Sequence, residues 1–139
     1  MTLYMLDTNA ASEIVRGNRA FDERLQALAT GRWCISAITR SEIRYGAALL
    51  PQAVKLHRLV DEFLRIAPTL AWDARAAERH GLLRAELRMR GKPIGHLDEM
   101  IAAHALATDA VMVTDNVRHF SLVPGLVIDN WLRPSTGDH

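Results

Sequence analysis

A chain of 139 residues is the size of one domain with a full hydrophobic core, and 49% apolar against 24% charged residues describe a folded globular protein and exclude a disordered one. The net charge is only +1, so no strong field of either sign dictates the partner, although 15 of the 17 basic residues are arginine, the side chain that pairs bidentately with phosphate. The lone cysteine, Cys34, excludes a disulfide framework and a cysteine metal site; with neither a secretory leader nor an apolar run approaching about 18 residues, the expected location is the reducing cytoplasm, away from any membrane.

Strand and helix signals alternate along the chain. Leu3 to Leu6 is a short apolar strand, and Thr8 to Val15 a helix entered through Asp7, Thr8 and Asn9. Phe21, Leu25 and Leu28 fall at helical spacing before Gly31, and Trp33 to Ser36 is a second strand. A helix starting at Thr39 carries Ile43, Gly46 and Ala47, and another beyond Pro51 carries Val54, Leu56, Leu59, Val60, Phe63 and Leu64. Ile66 to Leu70, interrupted by Pro68, reads as a poor edge strand.

A long helix is expected over Asp73 to Arg90, with Ala77, Leu83 and Leu87 inward, followed by a loop over Gly91 to Gly95. An alanine-rich helix then opens at Asp98, Val111 to Val113 is a buried strand, and Leu126 to Ile128 a last short one. Strands separated by helices pair in parallel through right-handed crossovers, so the fold class is α/β: a three-layer α/β/α sandwich around a mostly parallel sheet of about five strands. One domain over residues 1–133 and a polar tail over 134–139 are expected.

The chemistry lies where strands and loops hand over to carboxylates, at Asp7, Glu42, Asp98 and Asp115. In an open α/β sheet ligands sit beyond the carboxyl ends of the strands, so acids delivered there from distant segments can converge on a divalent cation. Each has an alternative role. Asp7 and Asp98 precede helices and suit N-caps; Glu42 follows Thr39 by three, the spacing of a capping box; Asp115 can cap the turn at Asn116 to His119.

The surrounding residues decide between these roles. Met5-Leu6-Asp7-Thr8-Asn9, Ser41-Glu42-Ile43-Arg44-Tyr45-Gly46, Asp98-Glu99-Met100-Ile101-Ala102-Ala103-His104-Ala105 and Thr114-Asp115-Asn116 come in order, closed by Pro124-Gly125-Leu126 and Asn130-Trp131. This arrangement resembles the PIN-domain ribonucleases, and within them the VapC-type toxins of bacterial toxin–antitoxin pairs; the resemblance runs from Met5 through Trp131.

The resemblance implies a metal-dependent endoribonuclease in which Asp7, Asp98 and Glu42 hold Mg²⁺ or Mn²⁺, Thr8 and Asn9 line the pocket and Thr114 supports its wall. Those hard ions take carboxylate oxygens and keep several waters, so two or three acids suffice without histidine or cysteine. The family's fourth acidic position falls where this chain has Asn116, and a further acid often stands where it has His119, which leaves Asp115, Asn116 and His119 as candidates for that corner. A cluster of acids without an ion should hold protons above the usual range.

Arg44, Arg84, Arg88, Arg90 and Lys92 are the candidate contacts to RNA, transfer RNA among the substrates, or to an antitoxin segment. His104 is expected to pack, whereas His96 and His119 stand near the acids at the surface. The resemblance further implies a cognate antitoxin and a homodimer, for which the helix over Pro51 to Leu64 offers apolar residues. Two other classes stay open: a PIN-like scaffold that binds RNA or protein without cutting, and an aspartate-based phosphatase or phosphotransfer domain, against which Asp7-Thr8-Asn9 lacks a second acid.

Overall fold

A computed structural model describes residues 1–131 of the protein; the polar tail expected at 134–139, and the domain end at 133, lie outside the described residues. Its sheet has five strands, β1 (Tyr4–Leu6), β2 (Trp33–Ser36), β3 (Thr69–Leu70), β4 (Val111–Val113) and β5 (Ile128–Asp129), in the order β3-β2-β1-β4-β5. All four pairings are parallel, so the sheet is wholly rather than mostly so.

Seven helices connect them: α1 (Thr8–Val15), α2 (Arg19–Gln26), α3 (Ala37–Ala48), α4 (Val54–Ile66), α5 (Ala74–Met89), α6 (His96–Ala107) and α7 (Val117–Phe120). Register explains the three layers. Met5 pairs with Cys34 and with Met112, and this row joins a core with Leu83, Leu87, Ile101 and Phe120 from α5 to α7. One residue on, Leu6 pairs with Ile35 and with Val113, and that row faces Ala10, Phe21, Ile43, Val60 and Phe63 from α1 to α4. Successive strand residues point to opposite faces, so a parallel sheet covered on both sides needs apolar residues at every position. Each fully buried residue of this size contributes about 1.5–3 kcal/mol. Cys34 is buried in this layer, which pushes its thiol up to about 12.

Three local expectations change. Ala76, not Ala77, is the buried alanine of α5, in phase with Leu83 and Leu87. Helix α6 begins at His96 with Gly95 at the cap, at φ 107°, a left-handed region that favours glycine, so Asp98 lies inside the first turn and is not the cap. Helix α3 begins directly after β2: Ser36 is both the last strand residue and the N-cap, accepting from the Ile38 amide at 3.0 Å, so Glu42 is mid-helix and no capping box with Thr39 forms.

The apolar face of α4 is covered by the chain itself: Val60, Phe63 and Leu64 are core residues, and Leu56 and Leu59 pack against them. None of the helices is long and apolar enough to cross a membrane among the described residues.

Candidate active site

The strand order turns at β1, which lies between β2 and β4, and crevices for ligands form beyond the carboxyl ends of strands at such a switch. Asp7 stands there, immediately after β1 and 3% exposed. Its cap reading is realised, and its second oxygen is held from another strand. Oδ1 accepts from the Ala10 amide at 2.7 Å, capping α1, while Oδ2 accepts from the Thr114 hydroxyl at 2.5 Å, where β4 has just ended. A carboxylate offers about four lone-pair sites, so both oxygens keep capacity for a further partner.

Asp7, Thr8, Asn9, Glu42 and Asp98 line one cavity of about 440 Å³, with Gly95 and His96 at its edge. Glu42 reaches it from mid-α3 and Asp98 from the first turn of α6. Three segments far apart in sequence thus deliver three carboxylates to one space. Thr8 Oγ1, on the same lining, is buried without a hydrogen-bond partner among the described residues.

The fourth corner is shared rather than filled by one acid. Asp115 lines a neighbouring cavity of about 400 Å³ with Asn9, Glu13, Arg16 and Asn116, and accepts from Asn130 Nδ2 at 2.9 Å. Asn116 donates its backbone amide to Thr114 Oγ1 at 2.8 Å, and its side chain meets His119 Nδ1 at 3.1 Å. That same ring nitrogen lies 3.5 Å from Asp98 Oδ2. His119, where the family often has an acid, is therefore the group that approaches Asp98.

Burial pushes the Asp7 carboxyl up to about 6; the bonds from Thr114 and Ala10 oppose this, and the charges of Asp98 and Asp115 add to it. Asp98 is raised as well, first by burial, then by Glu99, against the lowering effect of His119. In both acids burial outweighs the groups that favour the ionised form.

The basic residues divide. Arg84 and Arg88 line a cavity of about 390 Å³ that meets the acidic one at Gly95 and His96. Arg90 instead pairs with Glu86 at 2.7 Å, Arg44 with Asp61 at 2.7 Å across α3 and α4, and Lys92 is exposed on the loop. His104 packs as expected, its Nδ1 2.8 Å from Ser36 Oγ in the interior. Two lining residues went unread in the sequence: Glu13 and Arg16, which with Asn9 follow helical spacing along α1 and could have been found by extending that face.

A family model, the PIN domain, matches residues 4–126. The chain belongs to the PIN-domain family. Within it, the chain is 37% identical over 131 residues to the tRNA(fMet)-specific endonuclease VapC of Salmonella typhimurium, covering 94% of this chain and 99% of that protein. It is 32% identical to Ribonuclease VapC2 of Rickettsia felis over 93% of this chain and 98% of that one. The crystal structure of VapBC2 from Rickettsia felis, bound to a DNA fragment from their promoter, superposes with a TM-score of 0.87 at 31% identity, covering 94% of this chain and 99% of that chain. Identity at this level over nearly whole chains makes this PIN domain a VapC-type ribonuclease, an endoribonuclease in reaction class.

Proposed function

We propose that this VapC-type protein is the toxin of a toxin–antitoxin pair and hydrolyses RNA phosphodiester bonds with Mg²⁺ or Mn²⁺ held by Asp7, Glu42 and Asp98. The observation that carries the reading is the cavity those three carboxylates share at the switch of the sheet. The donor set fits a hard ion: oxygen atoms only, two acids pushed toward protonation by burial, and an unpartnered Thr8 hydroxyl on the same wall. When bound, such a cation would lower the pKa of an attacking water and neutralise charge growing on the leaving oxygen.

The protein's own groups have separate tasks in this reading. Thr114 and the Ala10 amide hold Asp7 by both oxygens, fixing the direction of its remaining lone pairs. His119 Nδ1, when protonated, donates toward Asp98 and favours its ionised form. Asp115 contributes negative potential from the next cavity. Arg84 and Arg88 supply the cationic rim for the phosphate backbone, and Arg44, Arg90 and Lys92 add outlying positive charge. The tRNA(fMet) specificity named for the Salmonella relative makes an initiator transfer RNA the substrate to try first.

An antitoxin partner follows from the VapBC complexes this fold superposes on. Tyr45, Leu49, Leu50 and Val54 are exposed around the junction of α3 and α4, beside a cavity of about 220 Å³ that runs from Leu50 and Leu56 to Glu42. An apolar segment seated there would bring a basic residue within reach of the acids. With the main face of α4 already in the core, these exposed residues are also candidates for a homodimer contact.

Incubating the protein and an Asp7→Asn variant with initiator transfer RNA and with total RNA, in Mg²⁺ or Mn²⁺, and mapping new ends tests the reading. Cuts by the unaltered protein alone are expected; equal cutting by the variant, or none with either ion, overturns it.

A further inference from the structure

Beside Asp98 at the α6 N-terminus lies a group of different chemistry. His80 from α5 meets His96 and Glu99, one turn apart in α6. One ring nitrogen of each histidine and a carboxylate oxygen of Glu99 all lie within 4.8 Å of one another. Glu99 is only 4% exposed, and the one hydrogen bond to its carboxylate among the described residues is from the Ile94 amide at 3.2 Å. His80 Nε2 is buried with no hydrogen-bond partner among those residues. A buried carboxylate with one neutral donor and a buried imidazole nitrogen with none are both costly, and a shared cation would satisfy both.

We propose that His80, His96 and Glu99 form a second cation site, selective for a Zn²⁺-class transition metal, whose donors are distinct from the three carboxylates of the cavity that His96 borders. Two imidazoles and one carboxylate are a donor set that zinc takes readily and Mg²⁺ does not favour, and three protein ligands leave the fourth tetrahedral position open. Tetrahedral ligands about 2.0–2.2 Å from zinc stand roughly 3.4 Å apart, so the observed spacing closes with side-chain shifts of about 1 Å. The rings are already placed. His80 is wedged between the Trp72 and His96 rings, with centroid distances of 5.7 and 5.5 Å and near-perpendicular planes. His96 and Glu99 also line the cavity that holds Arg84 and Arg88, whose charge would favour an anionic oxygen as the fourth ligand. His96 and Glu99 flank Asp98 on one helical turn, so occupancy would pin the segment that carries a member of the acidic cavity.

Cobalt reports the geometry directly, because a four-coordinate Co²⁺ site absorbs visible light strongly and an octahedral oxygen site only weakly. Chelator-stripped protein is titrated with Co²⁺ and then Zn²⁺, alongside Asp7→Asn, His96→Gln and His80→Gln. One equivalent of intensely absorbing Co²⁺, displaced by Zn²⁺, is expected for the unaltered protein and for Asp7→Asn. In His96→Gln and His80→Gln the band should vanish and Zn²⁺ affinity fall by roughly 100-fold, at the upper end of what losing even an outer-shell partner costs. Because His96 is exposed, its replacement tests the site without disturbing the core. Weak bands alone in the unaltered protein, an undiminished band in His96→Gln, or loss of the band in Asp7→Asn would each overturn the proposal.

Discussion

Replacing Asp7 by asparagine should make the metal-free protein more stable while abolishing cleavage. Asp7 is 3% exposed and its carboxyl rises from 3.8 to about 6, so at neutral pH the native state carries an ionised group that the unfolded chain carries more easily. At about 1.4 kcal/mol per tenfold change in proton affinity, the cost is about 3 kcal/mol. Between about pH 4 and 6 the native state binds more protons than the unfolded state, so this contribution to stability falls as pH rises through that window and stays low above it. Asparagine carries no charge to desolvate, and its oxygen still caps the Ala10 amide. Its amide must face Thr114 Oγ1, which already accepts from Asn116, so one donor hydrogen of that cluster goes unused at about 1–2 kcal/mol. The net gain is about 1–2 kcal/mol above pH 7, or roughly 3–8 °C in melting temperature, shrinking toward zero or below by pH 4. Urea unfolding of both proteins in chelator at pH 4, 6 and 8 measures the difference. Saturating Mg²⁺ should reverse it, by stabilising only the unaltered protein. A difference that does not change with pH, or that favours the unaltered protein most at pH 8, would refute the account of Asp7 as an anion whose burial outweighs its hydrogen bonds.

Three further outcomes can be checked in parallel. Thr114→Val removes a donor to Asp7 and the acceptor of the Asn116 amide; it should cost about 1–3 kcal/mol in urea unfolding and move the acidic limb of the cleavage profile to higher pH. His119→Ala removes the group that lowers the Asp98 pKa, so the Mg²⁺ concentration for half-maximal cleavage should rise by roughly 10-fold or more, with the rate largely recovered at saturating ion. Arg84→Gln with Arg88→Gln should weaken RNA binding and reduce the slope of log affinity against log salt by about 0.7 for each phosphate that is no longer neutralised, with no change in circular dichroism.

The layer architecture was legible because a parallel sheet buried on both faces demands continuous apolar runs, and Leu3 to Leu6, Trp33 to Ser36 and Val111 to Val113 each carry one. What eludes sequence reading is the junction where one residue serves two elements. Ser36 ends β2 and caps α3, which moves the start of the helix ahead of Thr39 and strips Glu42 of its apparent cap role. Gly95 starts α6 through its backbone conformation alone, with no side-chain cap, so the sequence pattern points instead to Asp98, the nearest residue that could cap. The fourth corner depends on which way the residues leading into α7 face, and spacing does not encode that: Asp115 turns to Asn130 and Asn9, whereas His119 comes back toward Asp98. The cluster of His80, His96 and Glu99 spans two helices packed against each other, a juxtaposition that exists only once α5 and α6 have docked.

The bond between Thr114 and Asp7 joins residues 107 positions apart, and it ties the site to the order in which the chain is made. Asp7 leaves the ribosome early, Glu42 and Asp98 follow, and β4 inserts beside β1 only after residue 113 has been synthesised. Until then Asp7 lacks its hydroxyl partner, one flank of β1 is unpaired, and Asp98 has no His119 beside it. A nascent chain therefore cannot assemble this set of contacts before His119 has been added. In a VapC-type ribonuclease, that order withholds these contacts from every shorter nascent chain.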